Sequence, residues 1–337
     1  MLLGLLCTLV ADEDPLRILG VLYESAFGTW YDAGTTLFYA TPLIFTGLSV
    51  SVAFRAGLFN IGAEGQLLMG ALAATAVGIN VGFENSFFSS LLAVSLATCA
   101  AFAAGALWAY IPALLWAKRG SHEVISTIML NFVAAGITQW FVLNIWPNPE
   151  TQNPETTLVA EAFRLSKVAQ FSESALSSSF FFAIILATFV YLIFNCSLFG
   201  FKQSATGQNP KAAQIAGIDT IRVKVVSLTL AGGIAGLVAL PEILGNSHRF
   251  KLGFSPGYGF TGIAVALLAQ ANPVAVIFSA LLFGALHKGT ADLDFQTEHI
   301  TRDFSLIIQA LIMLSLASAE GWRRLFKLRL PRKETDD

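Results

Sequence analysis

The sequence predicts an all-α protein, a polytopic transmembrane helix bundle of about ten helices. Hydrophobic residues make up 55% of the 337 positions, charged residues only 12%, and the mean hydropathy is +0.66. A soluble globular domain carries about twice that charged fraction, because its surface faces water. The apolar residues also form runs of about 20 residues, the length at which a helix crosses the hydrocarbon core with its backbone polar groups satisfied.

Ten apolar runs follow one another along the chain. The first is too short to cross a bilayer and lacks a basic leader, so we interpret it as a truncated first helix. Each later run ends where charged, amide, glycine or proline residues gather. The predicted spans are residues 1–11 (truncated), 35–54, 63–82, 88–116, 123–145, 178–197, 221–244, 258–271, 273–288 and 304–320.

Residues 1–337 therefore form a single transmembrane domain with three notable polar segments. Residues 147–177 are rich in Pro, Asn, Thr and Ser, which predicts an external loop. Residues 198–220 form a cytoplasmic loop, and residues 321–337 form a basic cytoplasmic tail. With the C-terminus in the cytoplasm, 13 of the 20 lysines and arginines fall on the inner side, as the positive-inside rule requires.

The segment between the second and third runs carries a charge pair and two amides among three glycines. Arg55, Asn60, Glu64 and Gln66 lie in or beside apolar segments, where ionisable and amide groups are costly unless they face a cavity, water or each other. Broken helices of this kind border transport paths in many carriers. We therefore expect Asn60, Glu64 and Gln66 to line a passage. An ordinary cytoplasmic turn, with Arg55 following the positive-inside rule, is the alternative.

Asn131 lies two turns inside the fifth run and is the residue of that run best placed to face the same passage. A hydrogen bond that joins two helices would explain it equally well.

The cytoplasmic loop contains the pattern of a very short helix. Asn209 suits the N-cap, Pro210 the first helical position and Gly217 the end. A helix of two turns is not stable alone in water, so its small residues must pack on a neighbour. That neighbour is either the protein's own bundle or another subunit.

Four segments together resemble a known family. They are "FRAGLFNIGAEGQLLMGALAA" (54–74), "HEVISTIMLNFVAAGI" (122–137), "GQNPKAAQIAGID" (207–219) and "GYGFTGIAVALLAQANP" (257–273). They resemble the permease subunits of ATP-binding-cassette (ABC) importers for nucleosides and, in close relatives, riboflavin. These belong to the group that contains the branched-chain amino acid and ribose permeases. The resemblance covers nearly the whole chain, although the family has a longer first helix.

The resemblance implies a multi-pass protein of the bacterial cytoplasmic membrane that imports a small solute by alternating access. Its partners would be an ATPase subunit, a second permease subunit (identical or homologous) and an extracytoplasmic solute-binding lipoprotein. It also implies that the short helix is a coupling helix that docks on the ATPase through Gly207, Asn209, Pro210, Ala212, Ala213, Ala216 and Gly217. In a nucleoside carrier Tyr258 and Phe260 would contact the base, since aromatic faces stack on bases. They would equally suit a membrane interface.

Other function classes fit the residues less well. The chain has no Gly-x-x-x-x-Gly-Lys-Ser/Thr sequence, so ATP hydrolysis is expected on a separate chain. A secondary transporter driven by an ion gradient would need paired acids within its spans, and Glu64 is the only strong candidate deep in a span. A membrane enzyme would need a nucleophile–base pair or a metal cluster, and neither pattern is evident. We expect no cofactor, no metal, no catalytic residue and no nucleic-acid partner.

Overall fold

A computed structural model describes residues 15–84, 86–171 and 173–296, together with positions 307, 310 and 311. The predicted spans at 1–11 and 304–320, apart from those three positions, and the tail at 321–337 lie outside the described residues. Eleven α-helices occur in the described part: α1 (Pro15–Phe27), α2 (Trp30–Arg55), α3 (Ala63–Asn80), α4 (Phe87–Arg119), α5 (Glu123–Asn144), α6 (Ser179–Cys196), α7 (Leu198–Gln208), α8 (Pro210–Ile215), α9 (Thr220–Gly236), α10 (Tyr258–Leu268) and α11 (Pro273–Gln296).

Local sequence sets several helix starts. The side chains of Thr29, Ser86, Ser197 and Asp219 each accept a hydrogen bond from a backbone N–H in the first turn of α2, α4, α7 and α9. Such caps satisfy donors that have no partner within the helix. At the other end of α4, Gly120 takes a φ of +64° and stops the helix.

Six stretches of the described chain are long and apolar enough to cross a membrane. They are Trp30–Arg55, Phe87–Arg119, Glu123–Asn144, Ser179–Cys196, Thr220–Ser247 and Pro273–Asp292. The predicted third span appears as α3, an 18-residue helix. The predicted span at 258–271 is shorter than expected: α10 has 11 residues. At 1.5 Å per residue it reaches about 16 Å, half of a hydrocarbon core of about 30 Å.

The helices divide into a centre and a wall. In the most apolar 18-residue stretch of α2, 83% of the residues are buried, whereas only 22% are buried in the corresponding stretches of α4 and α5. The exposed side chains of the wall helices are large and apolar, for example Phe132 and Ile185. Because such faces are costly in water and favourable in lipid, the wall is the lipid-facing or subunit-facing surface of a membrane bundle.

The two ends of α2 mark the two faces of the bundle. At its N-terminal end, Trp30 packs on Phe171 of the 147–177 loop with ring centroids 5.6 Å apart. At its C-terminal end, Arg55 donates a hydrogen bond of 2.9 Å to the carbonyl of Phe194, at the end of α6. The 147–177 loop therefore covers one face, and the helix pair α7–α8 lies at the opposite one.

Two departures from regular α-helix interrupt the centre. Residues 56–62 connect α2 to α3 without helix, and α9 continues after Gly236 into a π-helical segment, Leu240–Ser247. Pro241 contributes to the second break, because it has no N–H to donate. Neither α1 nor α7 was expected from the sequence as a separate helix.

Candidate passage and coupling site

The α2–α3 break is closed by a reciprocal pair of amides. Asn60 Nδ2 donates to Gln66 Oε1, and Gln66 Nε2 donates to Asn60 Oδ1, both at 2.8 Å. Asn60 Nδ2 also donates to Ser49 Oγ of α2 at 3.2 Å. Both amides are almost fully buried. The two predicted passage residues are therefore brought together, and in this conformation each amide satisfies the other.

Asn131 holds the first turn of α3 from the side. Its Oδ1 accepts the backbone N–H of Gly65 at 2.9 Å, and its Nδ2 donates to the carbonyl of Ile61 at 3.0 Å. The first N–H groups of a helix have no partner within the helix, so a side chain from α5 replaces the missing local cap. Asn131 thus joins two helices, the alternative that the sequence had left open.

Glu64 lies where two helices begin. Its Oε2 accepts the backbone N–H of Gly259 at 2.7 Å. Glu64 is in the first turn of α3, and Gly259 is in the first turn of α10. Because helix N-termini carry a partial positive charge, both dipoles favour an anion at this point.

The close approach of the two helix starts requires glycine. A Cβ on Gly259 would lie 2.3 Å from the backbone nitrogen of Glu64 and 2.7 Å from its Cα. No side chain fits in that space, so the N–H of Gly259 reaches the carboxylate only because residue 259 has none.

Tyr258 and Phe260 have different surroundings. Tyr258 is 5% exposed, and its hydroxyl donates to Glu242 Oε1 at 2.9 Å. Phe260 is 48% exposed and faces outward. The structure therefore does not bring these two predicted residues to one surface, although Tyr258 is adjacent to Gly259 and so to Glu64.

Glu242 is a buried acid that the sequence analysis missed. It lies in the π-helical segment and is 6% exposed. The signal was available: Pro241-Glu242 interrupts the run from Leu237 to Leu244, which is otherwise apolar. With Glu64 it places two carboxylates beside the start of α10, so the statement that Glu64 stood alone was wrong.

The 147–177 loop is tied to the segment that leads into α10. The N–H of Thr156 donates to the carbonyl of Phe250 at 2.9 Å, and Arg249 forms an ion pair with Glu155. Burial alone would raise the pKa of Glu155, but hydrogen bonds from Thr151 and Arg249 and the charge of Arg249 lower this pKa below its ordinary value of 4.5. The loop is thus an ordered cover over the face of the bundle at which α2 begins.

The short helix α8 has the predicted local structure. Asn209 Oδ1 accepts the N–H of Ala212 at 3.1 Å, Pro210 is the first residue of α8, and Gly217 takes a φ of +80° after its end. Exposure divides its small residues. Ala213 is buried in the chain's own fold, whereas Ala212 and Ala216 are exposed.

Ile215 is the most exposed large apolar residue of this segment, at 90%. We assigned it no role of its own from the sequence.

These features define the class of protein first. A wall of lipid-compatible helices encloses a centre with two helix breaks, buried amides and carboxylates, and a capped helix projects on the opposite face from an ordered loop. This is the organisation of a multi-pass membrane transport protein.

Comparison with known proteins defines the family. The family described as "Branched-chain amino acid transport system / permease component" matches residues 33–317, and the chain belongs to it. The chain is 35% identical to a guanosine ABC transporter permease protein of Bacillus subtilis, over 95% of this chain and 90% of that protein. It is 34% identical to a nucleoside ABC transporter permease protein of Lactococcus lactis, over 86% and 80%. It is 33% identical to a glucose ABC transporter permease protein of Haloferax volcanii, over 93% and 83%. The chain is thus a permease subunit of an ABC importer.

Proposed function

We propose that this permease subunit imports nucleosides across the cytoplasmic membrane, with its C-terminus in the cytoplasm and with ATP hydrolysed by a separate ATPase subunit. The observation that supports a nucleoside as the solute is the similarity to the guanosine and nucleoside permeases over most of the chain. A second permease subunit and an extracytoplasmic binding protein complete the assembly.

The α8 segment supports the ATPase contact. It is a capped helix of six residues that stands on one buried side chain, Ala213, and presents Ile215 to solvent. An exposed apolar residue on a short, locally fixed helix suits insertion into a groove of a partner protein. Ala212 and Ala216 flank Ile215 on the exposed side and permit close approach, whereas Ala213 fixes the helix to its own bundle.

The break between α2 and α3 supports a passage in the centre of the bundle. Ser49, which contacts Asn60, precedes Arg55 by six residues and therefore lies about 9 Å along α2 from its end. The helix break thus enters the bundle rather than staying at its surface. Irregular backbone within a membrane bundle is tolerated where it borders a cavity or lies buried in protein.

In this proposal the passage is closed in the present conformation by three sets of hydrogen bonds. They join Asn60 to Gln66, Glu64 to the start of α10, and Asn131 to the start of α3. Opening the passage separates α3 from α10, and the carboxylate and amides then become available to the hydroxyl and amide groups of a solute. Each polar group exchanges one set of hydrogen bonds for another, so the change requires little net energy.

Uptake in membrane vesicles tests the solute. The chain should be expressed with its ATPase, second permease and binding protein, and radiolabelled guanosine and adenosine should enter only with ATP. Competition by excess unlabelled glucose or riboflavin tests the other solutes of this family. If glucose abolishes nucleoside uptake, or if glucose alone is taken up, the nucleoside assignment is wrong.

An ion-gradient carrier is the alternative function, because Glu64 and Glu242 are two acids within the predicted spans. The hydroxyl of Tyr258 donates a hydrogen bond to Glu242, so this carboxylate already has a partner. Membership of an ABC permease family also argues against a separate driving force. The same vesicles distinguish the two: uptake that persists without ATP and stops when a proton or sodium gradient is dissipated would support the alternative.

A further inference from the structure

Helix α7 touches the end of α2 backbone to backbone. A Cβ on Gly207 would lie 2.2 Å from the carbonyl oxygen of Arg55 and 3.1 Å from the backbone nitrogen of Gly57. From the other side, a Cβ on Gly57 would lie 3.2 Å from the Cα of Gly207. The two chain segments therefore meet at a point where neither has a side chain that could move aside.

The rest of α7 holds this contact in register. Gln203, one turn before Gly207, is completely buried and donates from Nε2 to Ser227 Oγ of α9 at 2.8 Å. Thr206 is also completely buried. Helix α7 is thus fixed to the central helices along one face, and a single residue, Asn209, separates its end from the start of α8.

On the other side of the contact, the chain leads directly into the α2–α3 break. Gly57 takes a φ of +72°, and three residues later Asn60 enters the amide pair with Gln66. Arg55 is anchored as well, since its guanidinium donates to the carbonyl of Phe194 and lies 4.4 Å from the centre of the Phe194 ring. Residues 56–62 are therefore held at both ends, by Arg55 and by the amide pair. A displacement of Gly57 would accordingly displace the start of α3 as well.

We propose that the Gly57–Gly207 contact is where movement of the α7–α8 pair reaches the helix break, which makes Gly57 and Gly207 positioning residues for transport. The proposal rests on the proposed function, in which α8 meets the ATPase. The physical basis is that two backbone segments in direct contact move together, whereas long flexible side chains between them would absorb part of the displacement. Neither glycine touches the solute; both act through α3.

Gly207→Ala is the variant that isolates the contact. Gly207 lies inside α7 with helical φ, where alanine is the better helix former. The added methyl group therefore strengthens the helix itself but meets the carbonyl of Arg55, which cannot move aside. The two segments must separate by about 0.8 Å to bring this 2.2 Å distance to 3.0 Å, and the register of the contact changes.

Gly136→Ala is the matched control. Gly136 lies inside α5, is exposed, and has no atom within 4 Å of the position of an added Cβ. Both variants replace a helical glycine with alanine, but only Gly207→Ala alters the contact between α7 and α2.

The test measures complex assembly, ATP hydrolysis and nucleoside uptake in proteoliposomes that contain the full transporter. Gly207, which the resemblance assigned to the ATPase contact, packs on the backbone of Arg55 within the subunit itself. We therefore expect Gly207→Ala to assemble and hydrolyse ATP as the wild type does, with the number of solutes imported per ATP lowered about tenfold. Gly136→Ala should retain the wild-type ratio. An unchanged ratio in Gly207→Ala would overturn the proposal. Absence of ATP-dependent uptake by the wild-type complex would instead overturn the proposed function.

If Gly207→Ala fails to assemble, hydrogen–deuterium exchange of the wild-type transporter decides. Addition of ATP with vanadate should change exchange in residues 200–208 and in residues 57–62 together. A change confined to residues 200–208 would show that movement of α7 does not reach the break, and the proposal would be wrong.

Discussion

The backbone N–H of Gly259 donates a 2.7 Å hydrogen bond to the carboxylate of Glu64, which precedes it by 195 residues. This bond joins the first turns of α3 and α10, the two helices that start inside the bundle. In the proposed transport cycle this bond breaks when the two helices separate, and the carboxylate then bonds to the solute instead. The following predictions start from this contact and extend to the two faces of the protein.

Replacing Glu64 with glutamine should leave the protein folded but change transport. A glutamine Oε1 still accepts from Gly259, so abundance in the membrane should stay close to that of the wild type. The neutral side chain no longer matches the positive ends of two helices, an interaction of about 0.3–1 kcal/mol for each helix. We expect altered uptake kinetics per folded molecule. Unchanged kinetics in Glu64→Gln would remove this residue from the passage.

Replacing Asn131 with leucine should destabilise the bundle. The N–H of Gly65 and the carbonyl of Ile61 would both lose their partner, at a cost of about 1–3 kcal/mol for a buried group. Thermal unfolding of the purified protein in detergent should therefore occur at a lower temperature. Asn144→Leu is the control, because Asn144 is exposed and donates only to the carbonyl of Trp140 in its own helix. Equal unfolding temperatures for both variants would contradict the clamp role of Asn131.

Replacing Ile215 with alanine should weaken the ATPase contact without affecting the fold. Ile215 is 90% exposed, so its side chain contributes little to the stability of the isolated subunit. If it is the anchor of a partner groove, its truncation costs about 2 kcal/mol or more of binding, roughly a thirtyfold loss of affinity. Pull-down of the ATPase at several concentrations measures this. Ile185→Ala, on the exposed apolar wall of α6, should bind normally.

Ala213→Arg should behave differently from Ala212→Arg. Ala213 is buried, so an arginine there disturbs the subunit itself and lowers its abundance. Ala212 is exposed, so its arginine variant should accumulate normally and fail only in ATPase binding. Equal abundance of both variants would show that Ala213 does not fix α8 to the bundle.

The Glu155–Arg249 pair predicts a pH dependence of the outer cover. Because the folded protein lowers the pKa of Glu155, the pair contributes stability that is fully present above the ordinary pKa of 4.5. This contribution is lost as the pH falls through the lower pKa of the folded state. The difference in unfolding temperature between the wild type and Glu155→Gln should therefore be largest near neutral pH and shrink below pH 4.5. Glu150→Gln, an exposed acid of the same loop, should show no such trend.

Accessibility to an impermeant thiol reagent tests the orientation. Ser174 lies in the 147–177 loop but is 1% exposed, so a cysteine there would not react. Glu173 and Gln208 are exposed and lie on opposite faces. In a background without Cys7, Cys99 and Cys196, a cysteine at position 173 should react from outside intact cells and a cysteine at position 208 should not. The reverse pattern would invert the topology.

The sequence predicted the helical elements well, because their signals are local. Apolar run lengths placed most of the helices within a few residues of their ends, and Asn209, Pro210 and Gly217 identified α8. The same signals failed where tertiary packing matters. The length of α10 was overestimated because the apolar run continues past Leu268, where the helix ends. Glu242 was overlooked because its partner, Tyr258, lies in another element.

For the site, sequence identified the polar residues but not their arrangement. An amide or a carboxylate in an apolar segment must find a partner, and that requirement alone singled out Asn60, Glu64, Gln66 and Asn131. Which partner each one finds depends on how close two backbones can approach, which composition does not specify. Thus the sequence by itself determined a membrane-spanning helical protein with a short capped helix, since run length and caps are properties of neighbouring residues. Only the tertiary structure decided that Gly259 meets Glu64, that Asn131 caps α3 and that Ala213 is buried while Ile215 is exposed, because these contacts join residues far apart in the chain.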